Sequence, residues 1–157
     1  MNATHYSIRR ATTNDSHDIE SLHALLYADD PIHTEDVRTI AIARAIEHGL
    51  AWVAVSDQHI VGYALCEFLD VHHRYFPNSI FIDGLYILEP HRKQGIARHL
   101  IERIVNADYP AEYRSFSITH DPDETWLTSF YTSCGFTEIG KTDAGNIMMI
   151  KMRTPCS

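Results

Sequence analysis

Two places in this 157-residue chain combine residue types and spacings that could do chemistry. The first is Arg92-Lys93-Gln94-Gly95-Ile96-Ala97-Arg98. It lies between a strand-like run, Ile80 to Leu88, and a run with helical spacing, Ala97, Leu100, Ile101, Ile104 and Val105. A strand that feeds a glycine turn and then a helix makes an anion site. The first N–H groups of the helix have no acceptor within it, and the helix dipole adds partial positive charge there. Gly95 removes the side chain that would hold a phosphate off the backbone. Arg92, Lys93 and Arg98 add cations. The spacing therefore predicts a phosphate-bearing ligand. It is not a P-loop, which needs G-x-x-x-x-G-K-[ST], nor the dinucleotide fingerprint G-x-G-x-x-G. A plainer reading also fits: Gly95 only permits tight packing in a strand-to-helix turn.

The second place is Asp83, an acid within the apolar strand. Such a residue is costly unless solvated or paired, which favours a functional role. Residues 81, 83, 85 and 87 are expected to share one face of that strand. The alternative is a strand-end acid bonded to nearby backbone, with Gly84 marking a bulge. Eleven histidines raise the question of a metal. His72-His73 lack the i, i+4 spacing of a helical pair, and His120-Asp121-Pro122-Asp123-Glu124 lacks the calcium-loop spacing. No metal is expected.

The elements that must position these residues can be read in order. Tyr6 to Arg10 reads as a strand. Asn14 or Asp15 caps a helix carrying Ile19, Leu22, Leu25 and Leu26. Asp29-Asp30-Pro31 ends it. Thr34-Glu35-Asp36 opens a second helix with an apolar stripe of Val37, Ile40, Ala41 and Ala45, closed by Gly49. Leu50 to Val55 and Ile60 to Phe68 form a hairpin, and a polar loop, Asp70 to Asn78, leads to the central strand. After the central helix come a strand, Tyr113 to Thr119, and a helix with Trp126, Leu127, Phe130 and Tyr131, ended by Gly135. Phe136 to Ile139 and Asn146 to Met152 close the chain as a hairpin. The order is β-α-α-β-β-β-α-β-α-β-β.

Composition bounds the function. The length suits one domain, residues 1–157. Hydrophobic residues make up 45% and charged residues 22%, as in globular proteins generally. No apolar run reaches the length of a membrane span and the start is no secretory signal, so no membrane partner and a cytoplasmic location are expected. Cys66, Cys134 and Cys156, an odd count without metal-type spacing, are expected as thiols in a reducing compartment. A formal net charge of −8 argues against nucleic acid, which calls for a basic face, and suits a cationic substrate.

Arg92-x-x-Gly95-x-Ala97 resembles the R/Q-x-x-G-x-G/A signature of the GCN5-related N-acetyltransferases, the GNAT superfamily. Asp83-Gly84-Leu85-Tyr86-Ile87, followed by a proline-containing loop, resembles that family's fourth strand. Phe130-Tyr131-Thr132-Ser133-Cys134-Gly135-Phe136 resembles its Y-x-x-x-G-F element. The family glycine at the second signature position is Lys93 here, and the last glycine is Ala97. The element order is also the family's, so the resemblance covers nearly the whole chain.

The resemblance implies an α/β fold, a twisted mixed sheet of about seven strands flanked by about four helices. It implies an acetyl-CoA-dependent transfer to a primary amine, either a small cationic amine such as a polyamine or aminoglycoside, or a peptide amine. In that reading Asp83 is the base, with Glu67 and Asp70 in reserve, and Tyr131 protonates the leaving thiolate. The pantetheine arm pairs with the main chain of Leu85, Tyr86 and Ile87. Pyrophosphate lies on Arg92, Lys93, Gln94, Gly95, Ile96, Ala97 and Arg98. Glu124 stands seven residues before Tyr131, where the family often has an Asn that contacts the pantetheine arm. The acceptor surface is expected from the first two helices, with Asp29, Asp30, Glu35 and Asp36 near their junction, the Asp70–Asn78 loop with His72, His73 and Tyr75, and the closing hairpin. A homodimer is a further possibility the family suggests. An acyl-CoA-binding sensor or partner module without turnover is the competing function.

Overall fold

The computed structural model describes residues 5–26 and 35–154. The strands are β1 (Ser7–Arg10), β2 (Ala51–Ser56), β3 (His59–Leu69), β4 (Ser79–Ile87), β5 (Ser115–His120), β6 (Thr137–Lys141) and β7 (Ile147–Met152). The helices are α1 (Ser16–Leu26), α2 (Glu35–Glu47), α3 (Ile96–Val105) and α4 (Thr125–Ser133). The strands form one mixed sheet in the order β1-β2-β3-β4-β5-β7-β6. This is the mixed α/β fold and the element order the sequence predicts. Asp29, Asp30, Pro31, Thr34 and Cys156 lie outside the described residues. Among those described, no helix is long and apolar enough to cross a membrane. The chain divides into two compact units, Met1–Cys66 with Asp83–Asn106, and Glu67–Ile82 with Ala107–Ser157.

In the first unit β1, β2 and β3 pair antiparallel, with Ser7 opposite Val55 and Ala51 opposite Leu65. The β2–β3 hairpin turns on Asp57 and Gln58, both at positive φ (47° and 66°). That geometry matches the twist of the flanking strands. The start of α1 differs from expectation. A short 3-10 turn at Thr13–Asp15 leads into it, and Thr12 caps that turn. Asp15 turns back to accept the Thr12 N–H at 2.7 Å because Arg9 grips it with two bonds of 2.7 and 3.0 Å. Ile19 and Leu22 are buried as expected, together with His23, while Leu25 and Leu26 are exposed.

The stripe of α2 is also corrected. Val37 and Ile40 are 46% and 58% exposed, whereas Ile42 and Ala45 are buried. The helix end explains this. Gly49, at φ +70°, donates to Ile46, and Leu50 donates to the Ala45 carbonyl at 2.7 Å. That closure carries the chain into β2 with Leu50 buried, so the face holding Ile42 and Ala45 turns inward. Helix α3, which packs on β1 and β2, buries Ile96, Leu100, Ile101 and Ile104.

In the second unit β4 and β5 pair in parallel at Ser79–Ser115, Ile80–Phe116 and Phe81–Ser117. The buried hydroxyl of Ser79 bonds to Ser117 at 2.8 Å, so this polar seam is satisfied within the sheet. β5 pairs antiparallel with β7, and β7 with β6. Phe116, Ile118, Phe136 and Met149 are the buried centre. Helix α4 buries Tyr131, but Trp126 is 65% exposed, against the expected apolar face. Gly135, at φ +96°, ends the turn after α4, and Phe136 donates to the Tyr131 carbonyl at 3.0 Å.

Candidate active site

Strand β4, which from Asp83 onward belongs to the first unit, and the loop after it carry the first group of expected site residues. Phe81, Asp83 and Leu85 are half-buried, and Ile80, Ile82 and Gly84 buried. This is the expected alternation, with Asp83 on the less buried face. The burial alternation ends after Leu85, with Tyr86 half-buried and Ile87 buried. A Cβ at Gly62 on β3 would come within 2.6 Å of Ile87 Cδ1, so Ile87 packs directly onto a side-chain-free stretch of its neighbour.

The chain leaves β4 through a 3-10 turn at Glu89–His91 that contains Pro90. Arg92 then folds back. Its Nε–H donates to the Ile87 carbonyl at 2.8 Å, and its guanidinium stacks over the Tyr86 ring at 5.4 Å. Lys93 has φ +63° and Gly95 φ +84°. The left-handed conformation at Lys93 is the physical reason that a glycine suits this position. At Gly95 an added Cβ would meet only the Tyr6 hydroxyl, at 3.9 Å, so the backbone angle rather than crowding demands glycine. Arg92, Lys93, Gln94 and Gly95 are exposed, while Ile96 is buried and anchors the loop in the core. The N–H of His99 is the first of the helix to reach a carbonyl, that of Gly95, at 3.0 Å. The N–H groups of Ile96, Ala97 and Arg98 precede it and have no carbonyl within α3 to receive them. The start of α3 thus follows directly on four exposed residues, two of them cations, at the end of β4, with Ile96 itself buried and Ala97 and Arg98 half-buried.

The second unit holds Tyr131 and Glu124. Tyr131 is 8% exposed and packs among His120, Phe130 and Phe136, its ring stacked on His120 at 6.2 Å. Burial, with smaller effects from Cys134 and Glu124, pushes its phenol up to about 12. It is therefore protonated across the whole physiological range. Glu124 is exposed and sits at the cap of α4, its carbonyl taking the N–H of Leu127 at 2.9 Å. His120, which the sequence offered only as a metal candidate, is a buried brace. Its ring nitrogens bond the Asp121 carbonyl at 2.9 Å and the Thr128 hydroxyl at 3.0 Å, joining β5 to α4.

The reserve acids and the β3–β4 loop belong to this unit too. Glu67 and Asp70 are exposed, and an Asp70 carboxylate oxygen accepts the His72 N–H at 2.8 Å. His73 Nδ1 accepts the Phe76 N–H at 3.0 Å and so holds the loop's own turn. The Tyr75 hydroxyl accepts the Asp143 N–H at 2.9 Å, and Arg74 pairs with the Asp143 carboxylate. The loop expected to face the acceptor is tied in this way to the turn of the closing hairpin. Among the described residues no group of three or more His, Cys, Asp and Glu side chains is placed to hold a metal ion.

Sequence reasoning missed one feature near β4. His23 on α1 and Tyr63 on β3 are both buried and hydrogen-bonded to each other at 2.6 Å. No local pattern announces such a pair. The only hint is Gly84, the small residue on which both rings rest.

The description of the acetyltransferase (GNAT) family matches residues 17–136, well over half of the chain. Solved structures of similar fold include the PaiA N-acetyltransferase of Thermoplasma acidophilum in complex with coenzyme A. It is 15% identical, with a TM-score of 0.74 over 94% of this chain and 99% of that one. The diaminobutyrate acetyltransferase of Paenibacillus lautus, in complex with its substrate L-2,4-diaminobutyric acid and coenzyme A, is 14% identical. Its TM-score is 0.75 over 98% of this chain and 99% of that one. YncA, a putative acetyltransferase of Salmonella typhimurium with its cofactor acetyl-CoA, is 17% identical, with a TM-score of 0.77 over 98% and 97% of the two chains. At these identities the likeness is one of fold. Together with the family match over residues 17–136, it settles that this chain belongs to the acetyltransferase (GNAT) family and is an N-acetyltransferase.

Proposed function

We propose that the protein transfers the acetyl group of acetyl-CoA directly to a primary amine, and that its acceptor is a small cationic amine. The observation that carries the cofactor half is the turn at the end of β4. Gly95, exposed and at φ +84°, turns the chain into the N-terminus of α3, with the exposed Arg92 and Lys93 just before it. Pyrophosphate is the ligand these residues fit. Hydrogen bonds to a charged acceptor contribute roughly 1.5–3 kcal/mol each, so a few suffice to hold the cofactor. Bound acetyl-CoA supplies an activated thioester; the chain's own groups do the rest. The main chain of Leu85, Tyr86 and Ile87 receives the pantetheine arm and polarises the thioester oxygen by an N–H.

The acceptor must be neutral to attack. An alkylamine of pKa near ~10.4 is neutral in only about one molecule in a few thousand at pH 7, so a base is needed. Asp83, half-buried on β4, takes that proton. Tyr131, kept protonated by burial, returns one to the departing thiolate. The net charge of −8 favours a cationic acceptor, and the Paenibacillus relative, whose substrate is a diamino acid, is consistent with one.

The test is thiol release from acetyl-CoA across polyamines, aminoglycosides, diamino acids and lysine or N-terminal peptide amines, with wild type and Tyr131→Phe side by side. Turnover with one small-amine class, reduced in the variant, is the expected result. Cofactor binding without turnover on any amine would replace this reading with the sensor module, and absence of binding would remove the cofactor assignment.

A further inference from the structure

Two polar side chains are buried in the first unit beside the strand that carries Asp83. His23 is 1% exposed and Tyr63 is 0% exposed. Their hydrogen bond, between His23 Nδ1 and Tyr63 Oη, is 2.6 Å long, and the rings meet edge to face. The pair bears on β4 at a defined place. A Cβ at Gly84 would stand 3.3 Å from Tyr63 Cε2 and 3.4 Å from His23 Cε1. Gly84 is not at positive φ, so close approach is what requires the glycine. Tyr63 also faces the ring of Tyr86 at 6.5 Å. Both rings therefore lie close against Gly84, between Asp83 and Leu85, and Tyr63 alone also faces the Tyr86 side chain.

An apolar pair of the same size would fill this space without the desolvation that two polar side chains incur. What the hydrogen bond adds is a fixed geometry between helix and strand, which packing alone leaves looser. We propose that His23 and Tyr63 are a positioning pair for acetyl transfer. They hold the β4 backbone at Gly84, so that the Asp83 carboxylate and the peptide groups of Leu85 and Tyr86 keep the alignment the reaction needs. The inference rests on the acetyl-transfer reading and deepens it. Helix α1 belongs to the expected acceptor surface, so the pair joins that surface to the strand bearing the base. The cofactor loop has separate anchors, the Arg92–Ile87 bond and the buried Ile96. Disturbing the pair should therefore act on turnover more than on cofactor binding.

Three variants test this: Tyr63→Phe, His23→Leu and His23→Asn. Each is assayed for kcat and KM with the amine the wild type acetylates, for Tm, and by amide NMR of Asp83, Gly84 and Leu85. Tyr63→Phe keeps the ring and removes only the hydroxyl. It and His23→Leu lower kcat about tenfold or more, since small misplacements of reacting groups are costly, while the acetyl-CoA KM stays within about threefold. His23→Asn places a side-chain amide where Nδ1 stands and recovers most of kcat. The three amide resonances shift in the first two variants and return in the third. A lower Tm with unchanged kcat in Tyr63→Phe would overturn the proposal and leave a purely structural pair. So would a rise in acetyl-CoA KM that accounts for the whole loss. If the wild type turns over no amine, the acetyl-transfer reading has failed, and the resonances still decide the pair: unmoved amides overturn the positioning of β4.

Discussion

Arg92 donates its Nε–H to the carbonyl oxygen of Ile87 at 2.8 Å and lies over the Tyr86 ring. The signature arginine thus spends one donor and one face on the end of β4, and its remaining N–H groups stay at the exposed loop. A lysine has neither the Nε–H that reaches Ile87 nor a planar group to stack on Tyr86. Arg92→Lys is expected to raise the acetyl-CoA KM about tenfold or more, the equivalent of one charged hydrogen bond lost. Isothermal titration with coenzyme A checks it, and an unchanged affinity would leave Arg92 with only its bond to the strand.

The same loop holds two residues in the left-handed region, and they predict opposite responses. Gly95→Ala forces a Cβ onto φ +84° and should destabilise by about 1–2 kcal/mol, although the space around it is open. Lys93→Gly relieves φ +63° but frees the unfolded chain, so stability should change by less than about 1 kcal/mol, on the stabilising side. Urea unfolding of both variants separates a conformational demand for glycine from a steric one.

The Asp83 assignment predicts a particular pH dependence. Without a base, the variant must wait for amines that are already neutral. Asp83→Asn should lower kcat about 10²- to 10⁴-fold at pH 7 with little change in acetyl-CoA KM. Its rate should then climb about tenfold per pH unit up to the amine's own pKa. A variant whose pH–rate profile parallels the wild type's would move the role to another group, with Glu67 and Asp70 next to be substituted.

How much of this was readable in the sequence depended on whether the cause was local. The strand-glycine-helix turn at Arg92–Arg98 is a local event and was legible, as was the whole order of elements. The stripe of α2 was not. Val37, Ile40, Ala41, Ile42, Ala45 and Ile46 populate two overlapping helical faces, and the choice between them is made by the Gly49–Leu50 closure. The 3-10 turn that Thr12 caps ahead of the first helix was not legible either, because Arg9, on the preceding strand, holds Asp15 there. Trp126 reads as core by type, yet α4 turns Tyr131 inward and leaves Trp126 out. His23 and Tyr63 are 40 residues apart and meet only in the folded chain, so no spacing rule finds them.

Asp15 offers a test on stability alone. Its carboxyl is held below the usual range, first by the Arg9 hydrogen bonds and then by the Thr12 N–H and hydroxyl, against the opposing effect of burial. Arg9 is half exposed, which discounts the ion pair, and the Thr12 cap adds to it. Asp15→Ala should cost about 1–2 kcal/mol at pH 7. A depressed pKa stabilises above the unfolded value near ~4 and is lost as pH falls through the folded one. The gap between wild type and variant should therefore narrow in urea titrations below about pH 4. A gap that stays constant with pH would mean the carboxylate's charge is not what matters.

Tyr131 makes the opposite linkage at the alkaline end. Burial raises its phenol from the ordinary value of 10.0 to about 12, so the folded chain keeps a proton that the unfolded chain gives up. The sign follows directly. The contribution is fully present below pH 10 and falls away as pH rises through about 12, where folded and unfolded chains are both ionised. Two pKa units correspond to about 2–3 kcal/mol of stability at stake across that window. Wild type should lose stability between pH 10 and 12 more steeply than Tyr131→Phe, which has no phenol at this position to ionise. Ultraviolet difference titration should likewise show one tyrosine that ionises last and is missing from the variant. Parallel alkaline unfolding curves would show that the phenol is more solvated than its burial implies. They would also weaken its case as the proton donor, because the role assigned to Tyr131 requires the neutral form that burial protects.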